Sequence, residues 1–135
     1  MFAQSFKQQI FPVNGVELNV VTGGSGPPLI LLHGFPQTNF IWHRVAPELA
    51  RHFSLVMPDL RGYGDSSAPT GDPEHINYSK REMAKDIIAL ADRLGIDRFA
   101  LAGHDRGGRV GYRLVLDHPG RVTKFLSLIH ISEPT

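Results

Sequence analysis

The stretch FALAGHDRGGRVGYRLVL, residues 99–116, decides how the rest of the chain is read. It opens on Phe99 to Ala102, a short apolar run of the kind that forms a strand buried on both faces. It closes on residues 106–116, which read as a helix stopped by His118-Pro119-Gly120. Between the two lies Gly103-His104-Asp105-Arg106-Gly107. A Gly-x-nucleophile-x-Gly pattern at such a junction is a sharp strand-to-helix turn. Its central residue sits in a strained backbone conformation, and its neighbours must be small enough for strand and helix to approach. The central residue here is Asp, not Ser. An Asp at this place also reads as a plain N-cap for the helix, so the turn alone leaves two roles open.

Working outward, residues 6–12 and 16–22 read as strands joined by an Asn14-Gly15 hairpin turn. Residues 23–28 form a Gly/Pro/Ser breaker cluster, and 29–32 are a continuous apolar strand. Trp42, Val45, Ala46 and Leu49 recur at helical spacing, which predicts a helix over 42–52. A strand at 54–57 is closed by Pro58, and a long loop runs through 61–73. Residues 79–94 read as the clearest helix. Ser79 and Glu82 form a capping box, Met83, Ile87, Leu90, Ala91 and Leu94 form the stripe, and Gly95 stops it. A last strand is expected over 122–128. A hairpin followed by alternating strands and helices implies an α/β fold, a mostly parallel sheet with helices on both faces. In such sheets the chemistry sits at the carboxyl ends of the strands. That directs attention to 33–38, 59–66, 103–108 and whatever follows Leu128.

Composition excludes several classes. The 135 residues suggest one domain, and 41% hydrophobic content is ordinary for a globular chain. There is no cysteine, hence no disulfide framework and no thiolate metal site. Fourteen basic residues against thirteen acidic ones give a net charge of +1, which provides no general field for nucleic acid or an anionic membrane. Apolar runs fall well short of the ~20 residues that span a bilayer, and residues 1–9 lack the apolar stretch of a signal peptide. A cytoplasmic protein without membrane or nucleic-acid partners is expected.

His33-Gly34-Phe35-Pro36 follows the apolar strand 29–32. Together with the Asp105 turn, in the right order and each at a strand's carboxyl end, it makes a far more specific pair than either alone. With Gln37-Thr38, Trp42-His43, Asp59 to Ser66, Tyr112 to Leu114 and Asp117 to Arg121, these segments resemble the α/β-hydrolases of the haloacetate (fluoroacetate) dehalogenase group, from about Phe6 to about Leu126. The resemblance implies an Asp105 nucleophile that displaces halide from an sp³ carbon to give an alkyl ester. Water activated by a histidine then attacks the Asp105 carboxyl carbon. The backbone N–H groups of Phe35 and Arg106 receive the oxyanion, and an acid orients the histidine. Serine would give a stable ether, so the Asp carries information about reaction class.

Arg106 and Arg109 are three apart on the first helical turn, where cations oppose the helix dipole. In the resembled family these positions bind the carboxylate of a haloacetate, a match to the guanidinium fork. The expected partners are thus a small anionic substrate and water. No cofactor and no metal are expected, since His43, His52, His75 and His118 lack ligand spacing. His33 and His104 read as structural. Asp59 to Ser66 lacks the features of a nucleotide loop and reads as a packed loop fixing the sheet edge. Two other readings stay open: an epoxide hydrolase using the same Asp-ester route, and a non-catalytic carboxylate-binding protein. Epoxide hydrolases and haloalkane dehalogenases tend to carry Trp where Arg106 stands, which favours an anionic substrate.

The resembled fold needs about twice this length. The histidines after Asp105 are His118, at the far end of the helix and roughly 20 Å away at ~1.5 Å per residue, and His130. Where the family carries its acid, this chain has Ile129. Residues 126–135 resemble the translation of a transposon-type sequencing adapter. The expectation is therefore that 1–125 are the N-terminal part of one α/β-hydrolase domain and 126–135 an artefactual tail. The cap and C-terminal part would be missing, and the chain would be inactive with a bare edge at 122–128. The family suggests a homodimer for the full-length parent.

Overall fold

The computed structural model describes residues 5–34, 37–66 and 79–128. Strands β1 (Lys7–Val13) and β2 (Val16–Gly23) pair antiparallel, with Val13 opposite Val16. Asn14 and Gly15 both take positive φ, 47° and 79°, as a two-residue hairpin turn matched to strand twist requires. The chain continues through β3 (Pro28–Leu32), a 3₁₀ turn (Asn39–Trp42), α1 (Ala46–Leu49), β4 (Ser54–Pro58), α2 (Lys80–Arg93), β5 (Phe99–His104), α3 (Arg106–Asp117), a second 3₁₀ turn (Pro119–Arg121) and β6 (Val122–Leu128). The sheet order is β1-β2-β4-β3-β5-β6. The pairs β4–β3, β3–β5 and β5–β6 are parallel, and β2–β4 is antiparallel.

Alternation along β3 explains its continuous apolar sequence. Ile30 and Leu32 enter one core with Met83, Ile87 and Leu90 of α2 and Val110 and Leu114 of α3. Leu29 and Leu31 enter the opposite core with Trp42, Ala46, Leu55 and Met57. The sheet therefore carries the long helices on one face and the short α1 region on the other, as a strand buried on both faces requires. The side chain of Ser79 accepts from the Glu82 N–H at 3.0 Å. At the other end, Gly95 has φ 74° and Ile96 donates to Ala91 O at 2.8 Å, a left-handed stop that satisfies the last carbonyls.

Two expectations change. The helix predicted over 42–52 is instead a 3₁₀ turn, Asn39–Trp42, followed by the four-residue α1. Pro47 lies in the first turn of α1. It has no N–H to continue a helix from Trp42, so the apolar spacing there belongs to two separate turns. The loop at 59–66 does not sit at a sheet edge, because β4 lies between β2 and β3. It is an internal knot. Asp59 accepts from Asn39 N at 2.7 Å, Asn19 Nδ2 at 2.9 Å and Asp65 N at 3.1 Å. Ser66 Oγ accepts from Asn19 N and donates to Asp59 O. The strand over 122–128 is present at the edge beyond β5, with Leu126 57% exposed. The expected loop residues 67–73, and 129–135 of the tail, lie outside the described residues. No helix among those described is long and apolar enough to cross a membrane.

Candidate active site

The parallel ladder sets the site. Leu32 at the end of β3 lies opposite Gly103 of β5, so the chain leaves both strands at one edge of the sheet. Asp105 follows β5 at φ 55° and ψ −114°, outside the ordinary regions for an L-residue. A residue held this way costs on the order of 1–3 kcal/mol and persists only where its surroundings over-determine it. The surroundings do so. Asp105 O accepts from Arg109 N at 3.1 Å as α3 begins, and any Cβ placed on Gly103 or Gly107 would meet the backbone of the facing segment. The Asp105 side chain makes no capping bond to α3. Asp105 is thus the N-cap position of α3 by backbone alone, without the side-chain bond that a plain Asp cap makes.

Against the elbow lies the exit of β3. A Cβ on Gly34 would stand 2.7 Å from Asp105 Cβ and 3.2 Å from its Oδ2, so only a glycine lets this loop approach so closely. His33 is wholly buried and holds the loop. Its Nε2 accepts from Leu60 N at 2.9 Å, which leaves the hydrogen on Nδ1 to donate to Gly34 O at 2.8 Å. Burial pushes the His33 pKa below its ordinary value, against the opposing pull of the Gly34 bond and the Asp59 charge. The ring also meets Tyr63 edge-on, with centroids 5.3 Å apart. The structural role expected for His33 is what the contacts show. Phe35, the first expected oxyanion donor, lies outside the described residues.

Arg106 and Arg109 occupy the first turn of α3 and are exposed. Lys80, the first residue of α2, shares their neighbourhood. Its pKa is lowered by burial first, then by the charges of Arg106 and Arg109, with Asp105 acting in the opposite sense. Lys80, Arg109, Tyr112, Arg113, Phe125 and Ser127 line a cavity of about 540 Å³. Sequence reading missed Lys80, since nothing in the spacing of α2 links its first residue to α3. The signal available was a cation at a helix N-terminus, where the dipole disfavours it. Sequence reading also missed the side chain of Gln37, whose Oε1 lies 2.9 Å from His104 Nδ1 and accepts from Gly34 N at 3.2 Å.

Below the site, Arg61 donates through Nε and Nη2 to Asp86 at 2.8 and 2.7 Å, both residues being almost fully buried. Asn14 Nδ2 donates to Asp86 and Glu82, so the hairpin turn, the loop after β4 and α2 meet at one cluster. Burial raises the Asp86 pKa above its ordinary value, outweighing the bonds from Arg61 and Asn14 that lower it.

The description "alpha/beta hydrolase fold" matches residues 27–132. The chain is 55% identical over 119 residues to the fluoroacetate dehalogenase of a Burkholderia species, covering 88% of this chain and 39% of that protein. It is 43% identical over 117 residues to the soluble epoxide hydrolase of Corynebacterium sp. strain C12, covering 86% and 39%. A solved structure from Nostoc sp. PCC 7120, assigned as an alpha/beta hydrolase, superposes with a TM-score of 0.89 at 52% identity, over 90% of this chain and 42% of that one. The chain thus spans about two fifths of the length of these relatives.

Proposed function

The chain belongs to the α/β-hydrolase fold family, and from that premise we propose that it carries the nucleophile and the substrate-anion contacts of a haloacetate dehalogenase-like hydrolase. The observation that carries this reading is Asp105, held at φ 55° on the elbow without a side-chain capping bond to α3, with the β3 exit in contact with it. Its carboxylate attacks the carbon bearing the halogen of a short 2-haloacid. A carbon–oxygen bond forms as the carbon–halogen bond breaks, and halide leaves with the bonding pair. Water then adds at the Asp105 carboxyl carbon, and the acyl carbon–oxygen bond to the substrate breaks, releasing a 2-hydroxy acid and a proton and regenerating the carboxylate. The backbone N–H groups of Phe35 and Arg106 receive the developing oxyanion. The Arg106 and Arg109 side chains hold the substrate carboxylate. Among the described residues that follow Asp105 no general base is assigned, because His118 caps the far end of α3, about 18 Å along a 12-residue helix.

The 55% identity to a fluoroacetate dehalogenase favours this reading, as does Arg106 directly after the nucleophile. The 43% identity to an epoxide hydrolase keeps that activity as the second reading, through the same Asp ester. The test is a chimera in which this chain replaces the matching segment of the Burkholderia dehalogenase. It is turned over with fluoroacetate, and separately with an epoxide, in heavy-oxygen water. Fluoride release with label in the Asp105 peptide supports the proposal, and label gained only with the epoxide supports the second reading. Substrate binding with Asp105 unlabelled supports a non-catalytic carboxylate binder and refutes both.

A further inference from the structure

Gln37 bridges the two strand exits that meet at Asp105. Its Oε1 accepts from Gly34 N at 3.2 Å, and its own backbone N–H donates to Gly34 O at 2.9 Å. An N–H can be met only by the oxygen of a carboxamide, so the Gly34 contact fixes which way the amide points. The same oxygen lies 2.9 Å from His104 Nδ1. An amide oxygen offers lone pairs alone, so that ring nitrogen carries its hydrogen and donates. One neutral side chain thereby ties the β3 exit to the last residue of β5, directly before Asp105.

We propose that Gln37 is a positioning residue for Asp105, acting through His104 to hold the elbow against the β3 exit. The proposal rests on the reading of Asp105 as nucleophile and adds to it a residue that acts through His104. Two consequences follow from the chemistry of the bridge. The Gly34 N–H is taken up by Gln37 and is not offered to a substrate oxygen. A glutamate at this position would keep the acceptor oxygen but place a second negative charge beside Asp105 and the anionic substrate, whereas glutamine supplies the oxygen without the charge.

The test uses four variants, read by imidazole nitrogen chemical shifts of His104 in this chain and by kinetics in the full-length chimera. The parent chain is expected to show the Nδ1–H form of His104. Gln37→Met removes the acceptor, so the ring should lose that single tautomer. In the chimera kcat should fall on the order of tenfold with KM within about twofold, the pattern of a displaced nucleophile. Gln37→Glu should restore the tautomer and most of kcat while raising KM for the haloacid. His104→Asn keeps an N–H donor at the Nδ1 position and should retain kcat better than His104→Gln, which does not. An Nδ1-deprotonated His104 in the parent chain overturns the proposal. So does an unchanged kcat in Gln37→Met while Asp105 still takes up label. Absence of label in the parent chimera overturns the nucleophile reading itself, and the catalytic role of Gln37 with it.

Discussion

Replacing Gly34 by alanine puts a methyl group where the β3 exit meets the elbow. Gly34 does not have a positive φ, so alanine is compatible with its backbone and the cost is steric alone. The new Cβ would lie 2.7 Å from Asp105 Cβ and 2.8 Å from His104 O. Ordinary contact begins at 3.4 Å, so loop and elbow must part by about 0.7 Å. Neither neighbour is the free end of a flexible side chain. One is backbone, and the other is the first carbon of a residue whose backbone is already strained. Overpacking of this kind costs about 1–3 kcal/mol. A displacement approaching 1 Å at a reacting group reduces rate by up to about a hundredfold. Gly34→Ala in the chimera is therefore expected to lower kcat by about 10- to 100-fold and to lower the urea midpoint. Gly120→Ala, where a Cβ meets nothing within 4 Å, serves as the control and should change neither. A Gly34→Ala chimera that melts cooperatively at the parent midpoint with kcat within about twofold of the parent would refute the reasoning.

Asp86→Ala removes the two short bonds to the buried Arg61 guanidinium and leaves it the longer contact to Glu82 at 3.9 Å, so it should destabilise by about 3–5 kcal/mol in urea titration, whereas Arg61→Met with Asp86→Leu should recover most of that loss; equal losses in the single and double variants would contradict it. Burial holds His33 neutral, with its folded pKa below the ordinary imidazole value of 6.5, so its contribution is fully present above that pH. It is lost as pH falls from there through the folded pKa, at up to about 1.4 kcal/mol per pH unit, and a His33→Gln chain with the same acid slope would exclude His33 as the source. Lys80→Gln should raise KM for a haloacid about two- to fivefold at low salt and flatten the dependence of KM on ionic strength; an unchanged salt slope would remove Lys80 from the substrate's field.

What was legible in the sequence was local. Asn14-Gly15 names its turn because the hairpin needs two positive φ values. Ser79 and Gly95 name the ends of α2 because capping involves neighbours in sequence. Asp105 was legible because the elbow's glycines lie within two residues of it. The 42–52 region was misread for a related reason: apolar spacing shows which residues face the core, but Pro47 decides whether one helix can carry them. The polar links were not legible. Gln37 to His104 spans 67 positions, Asn14 to Asp86 spans 72 and Arg61 to Asp86 spans 25. Each depends on strand order, and the placing of β4 between β2 and β3 is written in no local pattern.

The charges around the elbow separate what serves the fold from what serves the site. Stability favours carboxylates at helix N-termini and cations at C-termini. In α2 this holds in part, with Glu82 in the first turn and Arg93 in the last. Near Asp105, cations nonetheless stand at helix N-termini: Lys80 opens α2 beside Glu82, and Arg106 and Arg109 share the first turn of α3, which holds no acidic residue. Three cations placed against two dipoles weaken the isolated scaffold, and the Lys80 pKa is lowered by burial first and then by the charges of Arg106 and Arg109. Such an arrangement is favourable only when an anion shares the space, and Asp105 supplies one negative charge among three positive ones. Under the proposed function, a substrate carboxylate supplies the next. Under that same function, the elbow geometry suits a nucleophilic displacement, and the clustered cations favour an acid over a neutral epoxide. Charge-neutral variants at Arg106 and Arg109 should therefore lose discrimination between the two substrates before they lose the fold.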